Sequence, residues 1–217
     1  MSEQTSARPI RYLVFSASMR ADSFNTRLAH LAADVLKERG AVVDYASFAE
    51  FDAPSFNGDD EVAGLYPAGP IELDRRLKNS DAFVISSPEY NASMPGSLKN
   101  VIDWVSRCKP QPFNELHGLL LSASPSMVGG NRGLWALRVP FEHLGARVFP
   151  DMFSLAQAHK SFDESGRLLD AELQRRFDAN VEGFMSLVEA STNYPCAKKV
   201  WVEYLGQQAD PVLDRVE

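Results

Sequence analysis

Cysteine is scarce in this chain, and membrane-length apolar runs and an excess of positive charge are missing. The two cysteines among 217 residues, Cys108 and Cys196, lie far apart with no CxxC pair, which speaks against both a disulfide framework and a thiolate zinc site. No apolar run is long enough to span a bilayer, and "MSEQTSARPI" carries polar residues where a secretory leader needs an apolar core. The expected setting is the cytoplasm, with no membrane partner. The formal net charge is -7, which speaks against duplex nucleic acid, because affinity for it comes largely from Lys and Arg neutralising phosphates. No GxxxxGK[ST] occurs, and the one glycine cluster, Gly129, Gly130 and Gly133, has the wrong spacing for GxGxxG. His30, His117, His143 and His159 have no carboxylate or cysteine at metal-ligand spacing. Structural or solvated histidines are expected, with His117 on a loop, and no metal.

What is present is the make-up of an ordinary globular protein, 45% hydrophobic and 24% charged. Length suits one domain with an appendage. The expected division is a disordered tail over 1–8, one domain over 9–190 and an extension over 191–217. Ile10 to Ser18 reads as a buried strand opening into a loop, and Phe24, Leu28, Leu31, Ala32, Val35 and Leu36 mark a helix stopped by Gly40. Further strands are expected at "AVVDYASF", "DAFVISS", "GLLLSAS" and "ARVFPDMFSL". Between them lie a long loop from Ala49 to Gly69, a short helix over 71–78, a helix after Pro95, and a helical stretch interrupted by Pro140. A closing helix shows an apolar face from Leu169 to Val188. Five short apolar strands alternating with helices predict an α/β fold, a doubly wound five-stranded parallel sheet with helices on both faces.

Ligands of such sheets bind outside the carboxyl ends of the strands. Three loops are placed there. The first, "SASMRADSFN", brings Ser16, Ser18, Arg20, Ser23 and Asn25 to a helix start, where unpaired N–H groups and the helix dipole favour an anion. A single serine there is explained by capping alone, but the whole set exceeds what a cap needs. The second, "SPEYNASMPGSLKNVIDW", is stiffened by Pro88 and Pro95. It is either a shaped turn or a rigid edge that reads a flat heterocycle, with Tyr90 against the ring. In the helix beyond it, Lys99 and Asp103 form a solvated or interface pair, and Trp104, outside the inner face, suits a subunit interface or a place under a neighbouring loop. The third, "SASPSMVGGNRG", offers Ser124 and glycines that let backbone approach a ligand. A phosphate loop, a ring loop and a small-residue loop together suggest a mononucleotide, with FMN a better fit than a dinucleotide.

The first two loops resemble motifs of the NADPH-dependent FMN reductase family, flavodoxin-like flavin, quinone, azo-dye and chromate reductases. Ala17, Ser18, Arg20, Ser23 and Asn25 occupy its G-S-x-R-x-x-S-x-N. Pro88, Glu89, Tyr90, Asn91, Ser93, Pro95, Gly96, Leu98, Lys99, Asn100, Asp103 and Trp104 match its P-E-Y-N-G-S-x-P-G-x-L-K-N-x-x-D-W. The resemblance implies a flavodoxin-like strand order 2-1-3-4-5 and bound FMN. Ser18, Arg20, Ser23 and Asn25 would hold the phosphate, with Ser16 and Phe24 beside them. Pro88, Glu89, Tyr90 and Asn91 would present backbone to the isoalloxazine, and Ser124 would line the third side. It further implies NADPH or NADH as reductant, a small-molecule electron acceptor such as free flavin, quinone, azo compound or metal oxyanion, and a homodimer or homotetramer. No side chain is expected to do the redox chemistry, which the flavin carries. The rival expectation is a flavodoxin-like electron carrier or a cofactor-free binding module. Ala17 and Ala92 stand where the family has glycine, and a positive φ at either would strain the backbone by about 1–2 kcal/mol.

Overall fold

The computed structural model describes residues 8–193. Within them, β1 (Arg11–Ser16) alternates its side chains across a parallel sheet. Tyr12 and Val14 join one core cluster, and Leu13 and Phe15 the other. β2 (Val42–Ala46), β3 (Ala82–Ser86) and β4 (His117–Ala123) follow, with β3 and β4 buried along their whole length. That continuous burial is what a strand covered on both faces requires. The order is β2-β1-β3-β4, with β5 (Arg147–Val148) and β6 (Phe153–Leu155) both pairing to the outer side of β4.

Helix α1 (Phe24–Glu38) starts where the Ser23 hydroxyl accepts the amides of Asn25 and Thr26, and Gly40, at φ +83°, turns the chain after it. Its apolar stripe, Leu28, Leu31, Val35 and Leu36, packs with α6 (Ala171–Asn193) on one face of the sheet. Each such side chain, fully buried, contributes about 1.5–3 kcal/mol. On the opposite face lie α3 (Ala68–Lys78), α4 (Gly96–Val105) and α5 (Asn131–His143), packed on Phe15, Phe83 and Ile85. Helix α2 (Gly58–Val62) interrupts the long loop expected over 49–69 and buries no residue.

Several expectations are corrected. The fifth strand comes in two pieces, because Pro150 lacks the N–H needed to continue the ladder. Helix α5 runs through Pro140 to His143; Ala136, whose carbonyl loses its helical partner there, lines an open groove with Pro140 where water can replace the bond. Of the two places expected for Trp104, the one under a neighbouring loop is what the structure shows: it is fully buried and donates its indole N–H to the Pro54 carbonyl at 2.9 Å, between Phe56 and Tyr66. It therefore holds a loop of its own chain, and Asn100 does the same, with Nδ2 on the Ala53 and Pro54 carbonyls and Oδ1 accepting Phe56 N–H. His117 opens β4 and is buried, rather than lying on a loop. Leu169 precedes α6 and is exposed, and Asp170 caps that helix.

Arg8, counted with the tail, makes a two-bond ion pair with Asp81 at 2.5 and 2.9 Å. Helix α6 passes the expected boundary at 190 and is described as far as Asn193. The expectations for 1–7 and for 194–217, Cys196 included, lie outside the described residues.

Candidate active site

The chain leaves β1 to build β2 on one side, then returns across β1 to build β3 on the other. That reversal opens a crevice beyond the carboxyl ends of β1 and β3. Two bonds tie its walls together: Ala17 N–H donates to the Ser86 carbonyl at 2.9 Å, and Ser87 N–H to the Leu121 carbonyl at 2.8 Å. All three loops singled out above therefore start side by side.

In the first loop the serines face their own backbone. Ser16 Oγ accepts Ser18 N–H at 3.3 Å, Ser18 Oγ accepts Arg20 N–H at 3.4 Å, and Ser23 Oγ caps α1. Each bond uses an oxygen lone pair and leaves the hydroxyl proton to donate elsewhere. Ser16 and Ser23 are buried in the floor, Ser18 and Phe24 are half-buried, and Arg20 is exposed. Among the described residues, the N–H groups of Met19, Ala21 and Asp22 and the Arg20 guanidinium find no acceptor. A loop of unpaired donors with one cation at a helix N-terminus is built for an anion.

Asn25 is not among the free donors. Its Oδ1 accepts Ser86 Oγ–H at 3.0 Å and Ala123 N–H at 2.9 Å, while Nδ2 donates to the Ala123 carbonyl at 2.9 Å. The amide thus joins the start of α1 to the ends of β3 and β4. Ser86 and Ser122, which the sequence did not single out, are consumed in the same way; Ser122 Oγ donates to the Ser87 carbonyl at 2.7 Å.

The second loop closes on a two-residue turn. Tyr90 and Ser93 exchange N–H to O bonds at 2.9 and 3.0 Å, and both central residues are left-handed, Asn91 at φ +52° and Ala92 at φ +61°. Asparagine tolerates that region; alanine does not. Of the two departures from the family motif, only Ala92 is strained, since Ala17 keeps an ordinary φ. Tyr90 is half exposed and its ring is free to face a ligand.

In the third loop Ser124 Oγ lies 3.1 Å from Ser126 Oγ and accepts Ser126 N–H, so the hydroxyl is engaged within its own turn. Gly130, at φ +87°, sits where a Cβ would come 2.0 Å from Ser122 Oγ. Close approach there lets α5 begin against the end of β4. Glu89 marks the junction with the second loop: its carboxylate accepts the N–H groups of Arg132 at 3.0 Å and Gly133 at 3.2 Å, and pairs with the Arg132 guanidinium at 2.6 Å. Burial pushes this carboxyl up, but the Arg132 side chain and the two amides outweigh it and hold it below the usual carboxylate range. Arg132 was not singled out beforehand, for it lies 43 residues from Glu89 and nothing local in the sequence marks the pairing.

The geometry suits a phosphate beside a planar ring, and the comparisons agree with it. Residues 10–160 match the model of the NADPH-dependent FMN reductase family. The chain belongs to that family. It is similar to a probable NADPH:quinone oxidoreductase of Oryza sativa, 33% identical over 80% of this chain and 86% of the relative. An NAD(P)H-dependent FMN reductase of Pseudomonas aeruginosa is 34% identical over 74% of this chain and 85% of the relative. Among solved structures, a flavoenzyme NAD(P)H:(acceptor) oxidoreductase of Paracoccus denitrificans superposes with a TM-score of 0.72 at 25% identity, covering 83% of this chain and 97% of that one. As a family member the protein is an oxidoreductase that uses FMN with NAD(P)H as reductant and a small-molecule acceptor. The enzyme reading therefore stands over the carrier or binding-module alternative.

Proposed function

We propose that this FMN reductase-family enzyme delivers electrons to flat, apolar acceptors of the quinone type. The observation that carries the reading is the first loop, where unpaired amides, the Ser18 hydroxyl and the Arg20 guanidinium form one anion cradle beside a stiff backbone edge. Ser18 and Arg20 contact the phosphate directly, each charge-assisted bond contributing about 1.5–3 kcal/mol. Ser16, Ser23 and Phe24 shape the floor. Asn25 positions the cradle instead of donating to the phosphate.

Pro88 to Asn91 offer main-chain groups to the ring edge, and Tyr90 covers it. Bound FMN supplies the hydride acceptor and the electron store; the chain supplies orientation and charge. The acceptor class is supported by the rim: Met19, Tyr90 and Met127, from the three different loops, are 63%, 50% and 74% exposed. An apolar rim of that kind favours a quinone or a flavin over a metal oxyanion.

We place the enzyme in the cytoplasm, where reduced nicotinamide is supplied, as a homodimer or homotetramer. Support for self-association comes from α5, where Trp135 and Val139, one turn apart, are 58% and 70% exposed beside a groove of about 570 Å³. Its apolar walls, Met94, Ile102 and Leu144, suit burial against the same face of a second copy, and Lys99 and Asp103 at its edge neutralise each other. Sedimentation velocity checks this, and a monomer at every concentration would exclude it.

The test of function is the visible spectrum of purified protein with NADPH titrated in. The expected result is a yellow protein that bleaches with NADPH and recovers its colour on adding benzoquinone. Protein that binds no added FMN overturns the reading.

A further inference from the structure

We infer that the Glu89 side chain is a positioning residue that fuses the ring-reading loop to the N-terminus of α5, so that two walls of the flavin site behave as one. The inference rests on the flavin reading above and assigns a role beyond the main-chain one expected for this position.

Three features at the same place support it. Helix α5 has no side-chain cap of its own, because its N-cap residue is Gly130. Its second and third amides, those of Arg132 and Gly133, are instead taken by Glu89, from a loop that leaves a different strand. A carboxylate at that position is favoured by the helix dipole as well as by the two N–H bonds. Gly133 allows the contact: a Cβ there would stand 3.2 Å from Glu89 Cα and from the Ser93 carbonyl, tighter than side chains normally pack. Arg132 completes it, with Nε 2.9 Å from Glu89 Oε1 on the solvent side. The Glu89 side chain is only 9% exposed, against 60% for Arg132, so the carboxylate sits under its partner.

The consequence concerns the loop backbone between Pro88 and Asn91. With its second residue clamped, that backbone keeps one conformation before any ligand arrives, and ordering it adds no cost to binding. The carboxylate also satisfies the α5 N-terminus, which leaves the first loop as the anion cradle.

Affinities of apoprotein for FMN and for riboflavin separate this role from phosphate binding, since riboflavin has the ring without the phosphate. Flavin fluorescence quenching reads both. Glu89→Ala is expected to weaken FMN and riboflavin by the same factor, at least about tenfold, while Arg20→Ala weakens FMN alone. Glu89→Gln, which keeps an acceptor for the two amides and loses the charge, should recover part of the loss. The absorption bands of FMN bound to Glu89→Ala should broaden toward those of free FMN. If Glu89→Ala does not fold, Glu89→Gln and Arg132→Ala carry the test, with an expected equal loss of about threefold or more for both flavins. Affinities within about twofold of wild type, or a loss confined to FMN, overturn the inference. Wild-type protein that binds neither flavin would instead overturn the flavin reading itself.

Discussion

The side chain of Asn25 and the backbone of Ala123 exchange two hydrogen bonds, each 2.9 Å long, as neighbouring strand residues do. An amide side chain carries the same donor and acceptor as a peptide group, so it can extend a sheet where the chain itself has turned away. Ser86 uses the remaining lone pair of Oδ1. Asn25→Ala would strand three buried groups, and the expected loss of stability is about 2–3 kcal/mol. Asn25→Asp should lose a comparable amount, because a carboxylate oxygen then faces the Ala123 carbonyl. Urea unfolding of the apoprotein measures both, and a loss below about 0.5 kcal/mol would show the bridge to be unimportant.

The Arg20 guanidinium has no partner among the described residues, and the one bond of Arg20 at this place runs from its backbone N–H to Ser18 Oγ. Removing it should therefore leave the fold unaltered and show only in ligand binding. For Arg20→Ala the expected outcome is at least about tenfold weaker FMN binding, about 1.4 kcal/mol, with an unchanged urea midpoint. Unchanged FMN affinity by equilibrium titration would remove Arg20 from the phosphate cradle.

Ala92 holds φ +61° in a turn whose flanking bonds are intact. Glycine adopts that conformation without steric cost, though it gains entropy in the unfolded chain. The expected net effect of Ala92→Gly is a stabilisation of about 1 kcal/mol, read from the thermal midpoint of the apoprotein. A destabilised variant would mean that the methyl group makes contacts that outweigh the strain.

His117 is buried, both its ring nitrogens lack a partner among the described residues, and burial, with Arg147 nearby, pushes its pKa down. The folded state therefore binds a proton less readily than the unfolded chain, which takes one up near pH 6.5. Its contribution to stability is fully present above about pH 6.5 and is lost as pH falls toward the depressed folded value. His117→Phe should flatten the decline in urea midpoint between about pH 7 and pH 5. An identical decline in wild type and variant would assign it to other groups.

The alternation of strands and helices was legible because each buried face repeats its apolar residues at a fixed step, as Leu28, Leu31 and Val35 do in α1. The chemistry of the three loops was legible as residue type. Commitment was not. Asn25 reads like Ser18 in a list of polar residues, yet its partner lies 98 positions away at the end of β4. Glu89 and Trp104 likewise take their roles from segments distant in sequence, Arg132 and Pro54. Pro140 misled in the other direction, since the bond it removes and the carbonyl it crowds can bend a helix without ending it.

The divided fifth strand matters for a process unrelated to catalysis. A long, straight edge strand offers a row of bare peptide groups onto which a second chain can add its own. Here that edge offers two residues at Arg147–Val148, a break at Pro150, and three more at Phe153–Leu155. No run is long enough to register with a foreign strand. The proline that spoils the ladder thus makes this edge a poorer template for strand addition than the five-residue edge at β2.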